Sequence, residues 1–334
     1  MSMDLYSYTY DLVRQIPYGM VSTYGAVARA LGDIRASRAV GRMMNQNPDA
    51  DSMPCFKIVQ SDGTLGGFGL GIDDKIRRLE EEDIRVKDNN IIDFESVCFT
   101  DFKTDYPLKN LREEQCEIGL KVICKDTISI KDVSLIAGFD VAYNFTDDWK
   151  ESCGACVLWD YQNKKLVDSF TLFHRSMFPY IPTYLAFREF PFIELLYNEL
   201  QQTPSVLMID GNGILHPFQS GIACMVGVAF QMPTIGVAKS LLCGHLQSDQ
   251  TIRLNDRVIG VAFSASSRVK KPVYISPGHN ISLKSAVTIV KNCSTYKSPE
   301  PLRLAHNLAT ETLRKHQENH YLKQQEPQVQ HTTV

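Results

Sequence analysis

Leu135–Val141 reads LIAGFDV, and Val206–Gly211 reads VLMIDG. Both runs have the length and apolar content of buried strands, yet each carries an aspartate where a core strand should be oily. A carboxylate taken out of water needs a cation, a set of donors or a raised pKa. Two such acids near strand ends in one sheet can face each other and share a metal. Hard oxygen ligands favour Mg2+ or Mn2+ over zinc. One aspartate so placed would more simply cap the next helix, so it is the pair that carries the metal reading.

Around these two runs lie further strand-like segments, ACVLWDY, LVDSFTLF, TIGVAK, RVIGVAFS and PVYISPGH. Helical patterns at FIELLYNEL, GIACMVGVAF, LKSAVTIV and PLRLAHNLATETL fall between or after several of them. Strands mixed with helices predict an α/β layer fold, and early strands that follow one another without helices predict a mixed sheet. Before Tyr106 the pattern differs. Helical periodicity runs through Leu5–Ile16, from Ser22 to Leu31-Gly32, and over Ala36–Met44. CFKIVQSDGTLGGF reads as a hairpin turning at Asp62-Gly63, and Ile72–Asp83 reads as a charged helix. Two short helices joined by a tight turn, with a hairpin after them, predict a winged helix-turn-helix. The expected organisation is a mainly α winged helix-turn-helix domain over 1–86 and a linker without clear period over 87–105. An α/β domain with a mixed sheet follows over 106–316, then a polar tail over 317–334.

At 334 residues the chain exceeds one ordinary core, which agrees with two domains. A net charge of −3 gives no case for nucleic-acid binding from the total, so local patches must carry it. Ser22–Asn47 sets Arg29, Arg35, Arg38 and Arg42 against the single acid Asp33. Ser264–Lys284 holds Arg268, Lys270, Lys271 and Lys284 with no acid, the pattern of either a phosphate-contact surface or a solvated loop. Nine scattered cysteines suit reduced thiols, and the lone Cys153-Gly-Ala-Cys156 reads as core packing. No apolar run has transmembrane length and the start lacks a signal pattern, so a cytoplasmic protein is expected, with no membrane association and no obligate protein partner.

IAGFDVAY, FPYIPTYLAFREFP, MIDGNGILHP, TIGVAKSLLCG, VYISPGH and EPLRLAH occur in this order over Leu108–Thr312, and together they resemble endonuclease V. That resemblance implies an RNase H-like fold. It also implies recognition of deaminated bases, chiefly hypoxanthine, and Mg2+-dependent hydrolysis of the second phosphodiester on the 3′ side, leaving a 3′-hydroxyl and a 5′-phosphate. It makes Asp140 and Asp210 metal ligands, adds Glu189 and His279 to the acidic centre, and sets Lys239 near the scissile phosphate. Pro179–Pro182, PYIP, matches a wedge that opens the duplex, with Tyr180 stacking where the base has left. Asn212 of DGNG stands where many relatives have histidine. DNA and RNA carrying inosine both stay open as substrates.

In the first domain, IPYGMVSTYGAVARALG, RAVGRMMNQNP, PCFKIV and GTLGGFG over Leu5–Ile84 resemble the C-terminal domain of O6-alkylguanine-DNA alkyltransferases, including the interval from Pro48 to Cys55. The resemblance makes Cys55 the alkyl acceptor, Arg38 the residue that intercalates, Tyr24 the one that rotates the nucleotide out, and Asn47 a support of the active-site turn. Lys75, Leu79 and Glu82 follow in register, and Glu82 supports the thiol. One departure stands out. The family signature Pro-Cys-His-Arg is replaced by Pro54-Cys55-Phe56-Lys57, which removes the histidine that relays a proton between thiol and glutamate. The expected partners are inosine- and O6-alkylguanine-containing DNA. The first domain then transfers the alkyl group, only recognises the lesion, or serves as a DNA-docking module.

Overall fold

A computed structural model describes residues 3–47, 49, 51–143, 152–265 and 271–325. Pro48, Arg268 and Lys270 lie outside the described residues. The chain forms two compact units: Met1–Glu117 with Met177–Arg188, and Ile118–Ser176 with Glu189–Val334.

The first unit opens with α1 (Leu5–Arg14), β1 (Ser22–Thr23), α2 (Tyr24–Leu31), α3 (Ser37–Asn45) and β2 (Ile58–Val59). Thr23 caps α2 by accepting from Ala26 N, and Gly32, at φ 105, ends it in the left-handed region that an L side chain would resist. Asp33 then opens a short 3-10 turn, Ile34–Ala36, into α3. α4 (Ile72–Glu80), β3 (Val86–Lys87), β4 (Asn90–Ile91), α5 (Phe94–Val97) and α6 (Pro107–Lys121) follow.

Two expectations change here. The hairpin over Cys55–Phe68 does not form. Cys55–Lys57 is a 3-10 turn, and β2 pairs in parallel with β1. The chain does turn after Gln60, but the returning Leu65 N donates to Asn89 O instead of to β2. The second change concerns 87–105, expected as a linker. Ile91 is buried beside Val21, Val59, Leu65, Leu79 and Ile84, with Phe94 and Val97 packed on them, and Phe99 N donates to Val21 O at 2.7 Å. Scattered apolar residues among Asp and Asn hid a segment that completes this core.

The second unit is built on β5 (Leu135–Tyr143), β6 (Ser152–Asp160), β7 (Lys165–His174), β8 (Val206–Asp210) and β9 (Thr234–Ala238), then β10 (His245–Leu246), β11 (Thr251–Leu254), β12 (Arg257–Phe263) and β13 (Val273–His279). They form one sheet in the order β10-β11-β12-β13-β9-β8-β5-β6-β7. The sheet is mixed: β5 with β8 and β8 with β9 are parallel, and the other pairs are antiparallel. Helices α7 (Leu185–Asn198), α8 (Ile222–Phe230), α9 (Leu283–Asn292) and α10 (Glu300–Gln325) complete the described residues.

α10 lies close on β5. A Cβ at Gly138 would come within 2.6 Å of the Pro301 carbonyl, so only glycine permits that approach. Ala305 and Ala309 pack with Ala155 and Val157. The polar tail expected from 317 continues this helix to Gln325, because good helix formers and the spaced pairs Glu311–Lys315 and Arg314–Glu318 favour it. Cys153 and Cys156 are buried free thiols three residues apart on β6, so they point to opposite faces and cannot act as a dithiol pair. Among the described residues no helix is long and apolar enough to cross a membrane.

Candidate active sites

The parallel register of β5 with β8 aligns Phe139 with Ile209, so the next residues, Asp140 and Asp210, sit side by side on the same face. Their carboxyl groups are within hydrogen-bonding reach of each other. Burial, then the charge of Asp140, holds the Asp210 carboxyl above the ordinary range, although Lys239 pulls the other way. Lys239, one residue past β9, puts Nζ 2.5 Å from Asp210 Oδ2. Burial alone would lower the Lys239 pKa, but Asp210, Asp140 and Glu189 together raise it. Glu189, on α7, is thus within electrostatic reach of Lys239, and its Oε1 accepts from the Tyr143 hydroxyl at 3.3 Å.

His306 was missed in the sequence. Its Nδ1 stands 2.6 Å from Asp140 Oδ2, and this hydrogen bond raises the imidazole pKa against a smaller opposing effect of burial. The available signal was the EPLRLAH motif, whose last residue α10 brings over β5. His279 does not join this centre. It pairs with Thr234 at the start of β9, whereas Lys239 follows the end of that strand, about 16 Å away at a strand's rise per residue. His279 is 2 % exposed, its Nδ1 accepts from Ile123 N, and burial lowers its pKa, as for a neutral core histidine.

Lys239 and His306 each stand against one of the two acids. Among the described residues no group of three His, Cys, Asp or Glu closes around one point. The donor set is a pair of carboxylates open to solvent on one side, Asp140 at 9 % and Asp210 at 17 % side-chain exposure. It fits a hard cation that keeps much of its water or takes phosphate oxygens, as Mg2+ does. Asn212, just beyond Asp210, has a buried Oδ1 with no hydrogen-bond partner among the described residues.

The first unit carries the second site. Cys55 is 5 % exposed, and burial pushes its thiol up to about 11, partly offset by a hydrogen bond from Asn47 Nδ2 to Sγ at 3.4 Å and by the charge of Lys75. Lys75, fully buried, donates to the carbonyls of Ile58 and Leu65, and burial brings it down to about 8 against the influence of Cys55. Tyr24 lies near enough for the thiol to add to the upward shift that burial gives its phenol. Arg29, Arg35, Arg38 and Arg42 are all exposed.

Glu82, expected beside the thiol, is engaged elsewhere. Its Oε2 is 2.5 Å from Lys57 Nζ and accepts from Gly19 N, while Phe56 packs into the apolar core. A nearly buried ammonium at position 57 needs a counter-charge, and Glu82 supplies it. Lys57→Met, which strands Glu82, should therefore cost roughly 3 kcal/mol in chemical denaturation, and Glu82→Gln in that background should restore most of it. Tyr180 is 45 % exposed and belongs with the first unit.

Paired acids on parallel strands that can hold a divalent cation define a metal-dependent phosphodiester hydrolase type of centre, and the comparisons with known proteins point to one family of nucleases. The chain belongs to the endonuclease V family, whose description, Endonuclease V, matches residues 117–307. Residues 4–84 match the family described as 6-O-methylguanine DNA methyltransferase, DNA binding domain. Two relatives share both halves, each named bifunctional methyltransferase/endonuclease. The one from Picrophilus torridus is 43 % identical over 92 % of this chain and 96 % of its own length. The one from Thermoplasma volcanium is 41 % identical over 92 % and 90 %. Among solved structures, Ciona intestinalis endonuclease V in complex with DNA containing an inosine followed by a ribo-adenosine superposes with TM-score 0.59 at 30 % identity, covering 64 % of this chain and 99 % of that one. The catalytic domain of human endonuclease V gives TM-score 0.59 at 28 % identity, covering 65 % and 99 %. The protein is an enzyme of this family, with an alkyltransferase-type helical domain ahead of the nuclease.

Proposed function

We propose that this chain is a bifunctional DNA-repair enzyme acting on deaminated and O6-alkylated bases, with an RNase H-like nuclease half and a winged helix-turn-helix half. One observation carries the nuclease reading: Asp140 and Asp210 meet in register, with Lys239 and His306 against them. The inosine-containing DNA bound by the Ciona enzyme supports the substrate class. When bound, Mg2+ supplies Lewis acidity and a more acidic water. The two aspartates would hold it, and the half-exposed Lys239, now against Asp210, would be free to turn to a phosphate oxygen of the substrate. His306 fixes the orientation of Asp140 through Nδ1. Glu189 adds negative charge at the rim. Tyr180 stacks in the gap left by the flipped base, and Asn212 offers it an acceptor.

For the first half, the reading is alkyl transfer to Cys55. Sγ, as thiolate, bonds to the alkyl carbon, the carbon–O6 bond breaks, and the guanine oxygen keeps that electron pair and takes up a proton. Arg38 fills the vacated stack and Tyr24 turns the nucleotide. One observation favours a second reading, lesion recognition without transfer: the thiol is held far toward its neutral form, with Phe56 where a relay would stand.

A deoxyinosine duplex incubated with Mg2+ should be nicked at the second phosphodiester 3′ of the lesion, leaving a 3′-hydroxyl. Chelation should stop the reaction. A duplex left intact, or cut equally with chelator present, would remove the nuclease reading. Mass measurement of Cys55 peptides after incubation with O6-methylguanine DNA separates the two readings of the first half.

A further inference from the structure

Residues 177–188 lie within the stretch that matches endonuclease V, yet they belong to the first unit. Their attachment is specific. Leu5 N, at the start of α1, donates to Met177 O at 3.1 Å. Phe178, Ile181 and Tyr184 are each at most 3 % exposed, which leaves Tyr180 as the large side chain that projects from the loop. The Tyr184 hydroxyl is 3.0 Å from Asp33 Oδ2 and 3.1 Å from Leu108 O. Asp33 is the residue that opens the turn between α2 and α3, where its Oδ1 accepts from Arg35 N.

Arg112 ties the other side. Its guanidinium lies 4.0 Å from the centre of the Tyr184 ring, reaches Asp33 Oδ2 at 3.4 Å and donates to Thr183 Oγ1 at 2.7 Å. Gln115 adds a bond from Nε2 to Thr183 O at 3.0 Å. Thr183 holds φ at 74, a costly conformation for a β-branched residue, directly after Pro179–Pro182. A strained backbone persists only where its surroundings over-determine it, and here those surroundings are Arg112 and Gln115, with Arg112 and Tyr184 both anchored on Asp33.

We infer that Asp33 is a positioning residue for the nuclease reaction, acting through Tyr184 and Arg112 to hold the Tyr180 loop in the shape that opens duplex DNA. The helix-turn-helix of the alkyltransferase-type half thereby serves deoxyinosine cleavage as a scaffold. This rests on the wedge reading of Tyr180. Strand opening matters for a paired lesion and not for one already single-stranded, so the diagnostic quantity is the ratio of kcat/KM on deoxyinosine in duplex to that in a single-stranded oligonucleotide. General damage to the fold lowers both numbers and leaves the ratio alone.

The experiment compares the full-length protein with Asp33→Asn, Tyr184→Phe and Tyr180→Ala, each with its melting temperature recorded. Asp33→Asn keeps the acceptor for Arg35 N but loses its charge toward Arg112, and Tyr184→Phe removes only the hydroxyl. All three variants are expected to lower the duplex-to-single-strand ratio about tenfold, the scale of a misplaced positioning group. If Tyr180→Ala lowers the ratio while Asp33→Asn and Tyr184→Phe leave it at the parent value, the scaffold inference is overturned and the wedge survives. If none of the three lowers it, the wedge reading itself falls. Equal losses on both substrates in the Asp33 and Tyr184 variants would likewise overturn the inference.

Discussion

Asp210→Asn should abolish incision of deoxyinosine DNA, lowering the rate by about a thousandfold or more, equivalent to ~4 kcal/mol of transition-state stabilisation. The substitution keeps the side chain's volume and removes one of the two charges that hold the cation. It should at the same time make the metal-free protein more stable at neutral pH. The Asp210 carboxyl is held above its ordinary range by burial and by Asp140. A raised acid favours the protonated folded state. Its destabilising effect is therefore absent below the unfolded pKa, grows as pH rises toward the raised folded value, and is complete above it. Asparagine never ionises, so the variant's thermal advantage should vanish at acidic pH. Mg2+ should raise the melting temperature of the parent and not of the variant, because only a protein that binds the ion is stabilised by it. Wild-type incision by Asp210→Asn, or equal stabilisation of both proteins by Mg2+, would refute this assignment.

The second large effect concerns Cys55. With the thiol pushed up to about 11, the thiolate fraction is small at neutral pH and rises about tenfold per pH unit until that value is approached. Single-turnover methyl transfer from O6-methylguanine DNA should follow this slope between roughly pH 7 and pH 9, and Cys55→Ala should abolish it. A flat profile over that range would mean that a neighbouring group activates the thiol after all. Lesion binding without any gain in mass at Cys55, even at alkaline pH, would favour recognition alone.

What the sequence disclosed, and what it hid, follows from the range of each signal. Aspartates in oily strands are a local anomaly, so Asp140 and Asp210 are legible from the chain, but the parallel register that unites them is not, because β6, β7 and α7 separate β5 from β8 in sequence. His306 was hidden because its helix, far along the chain, is amphipathic in an ordinary way. Only the approach of α10 to β5 at Gly138 gives the histidine a carboxylate to meet. His279 misled for the opposite reason: a histidine after Pro-Gly at a strand end looks functional, but antiparallel pairing carries it to the far end of β9. In the first unit, Phe56 announced a missing relay, yet nothing local disclosed that Lys57 would occupy Glu82. The supposed linker likewise concealed its few core residues among polar neighbours, and its burial depends on Val21 and Leu65, distant in sequence.

The discontinuity of the first unit has a consequence for biosynthesis. A chain emerging from the ribosome normally lets its leading domain fold before the next is made. Here Phe178, Ile181 and Tyr184 belong to the leading unit, so that unit cannot close until residue 188 has been translated. Until then the Leu108 carbonyl and the Asp33 carboxylate lack the Tyr184 hydroxyl that bonds both in the finished fold.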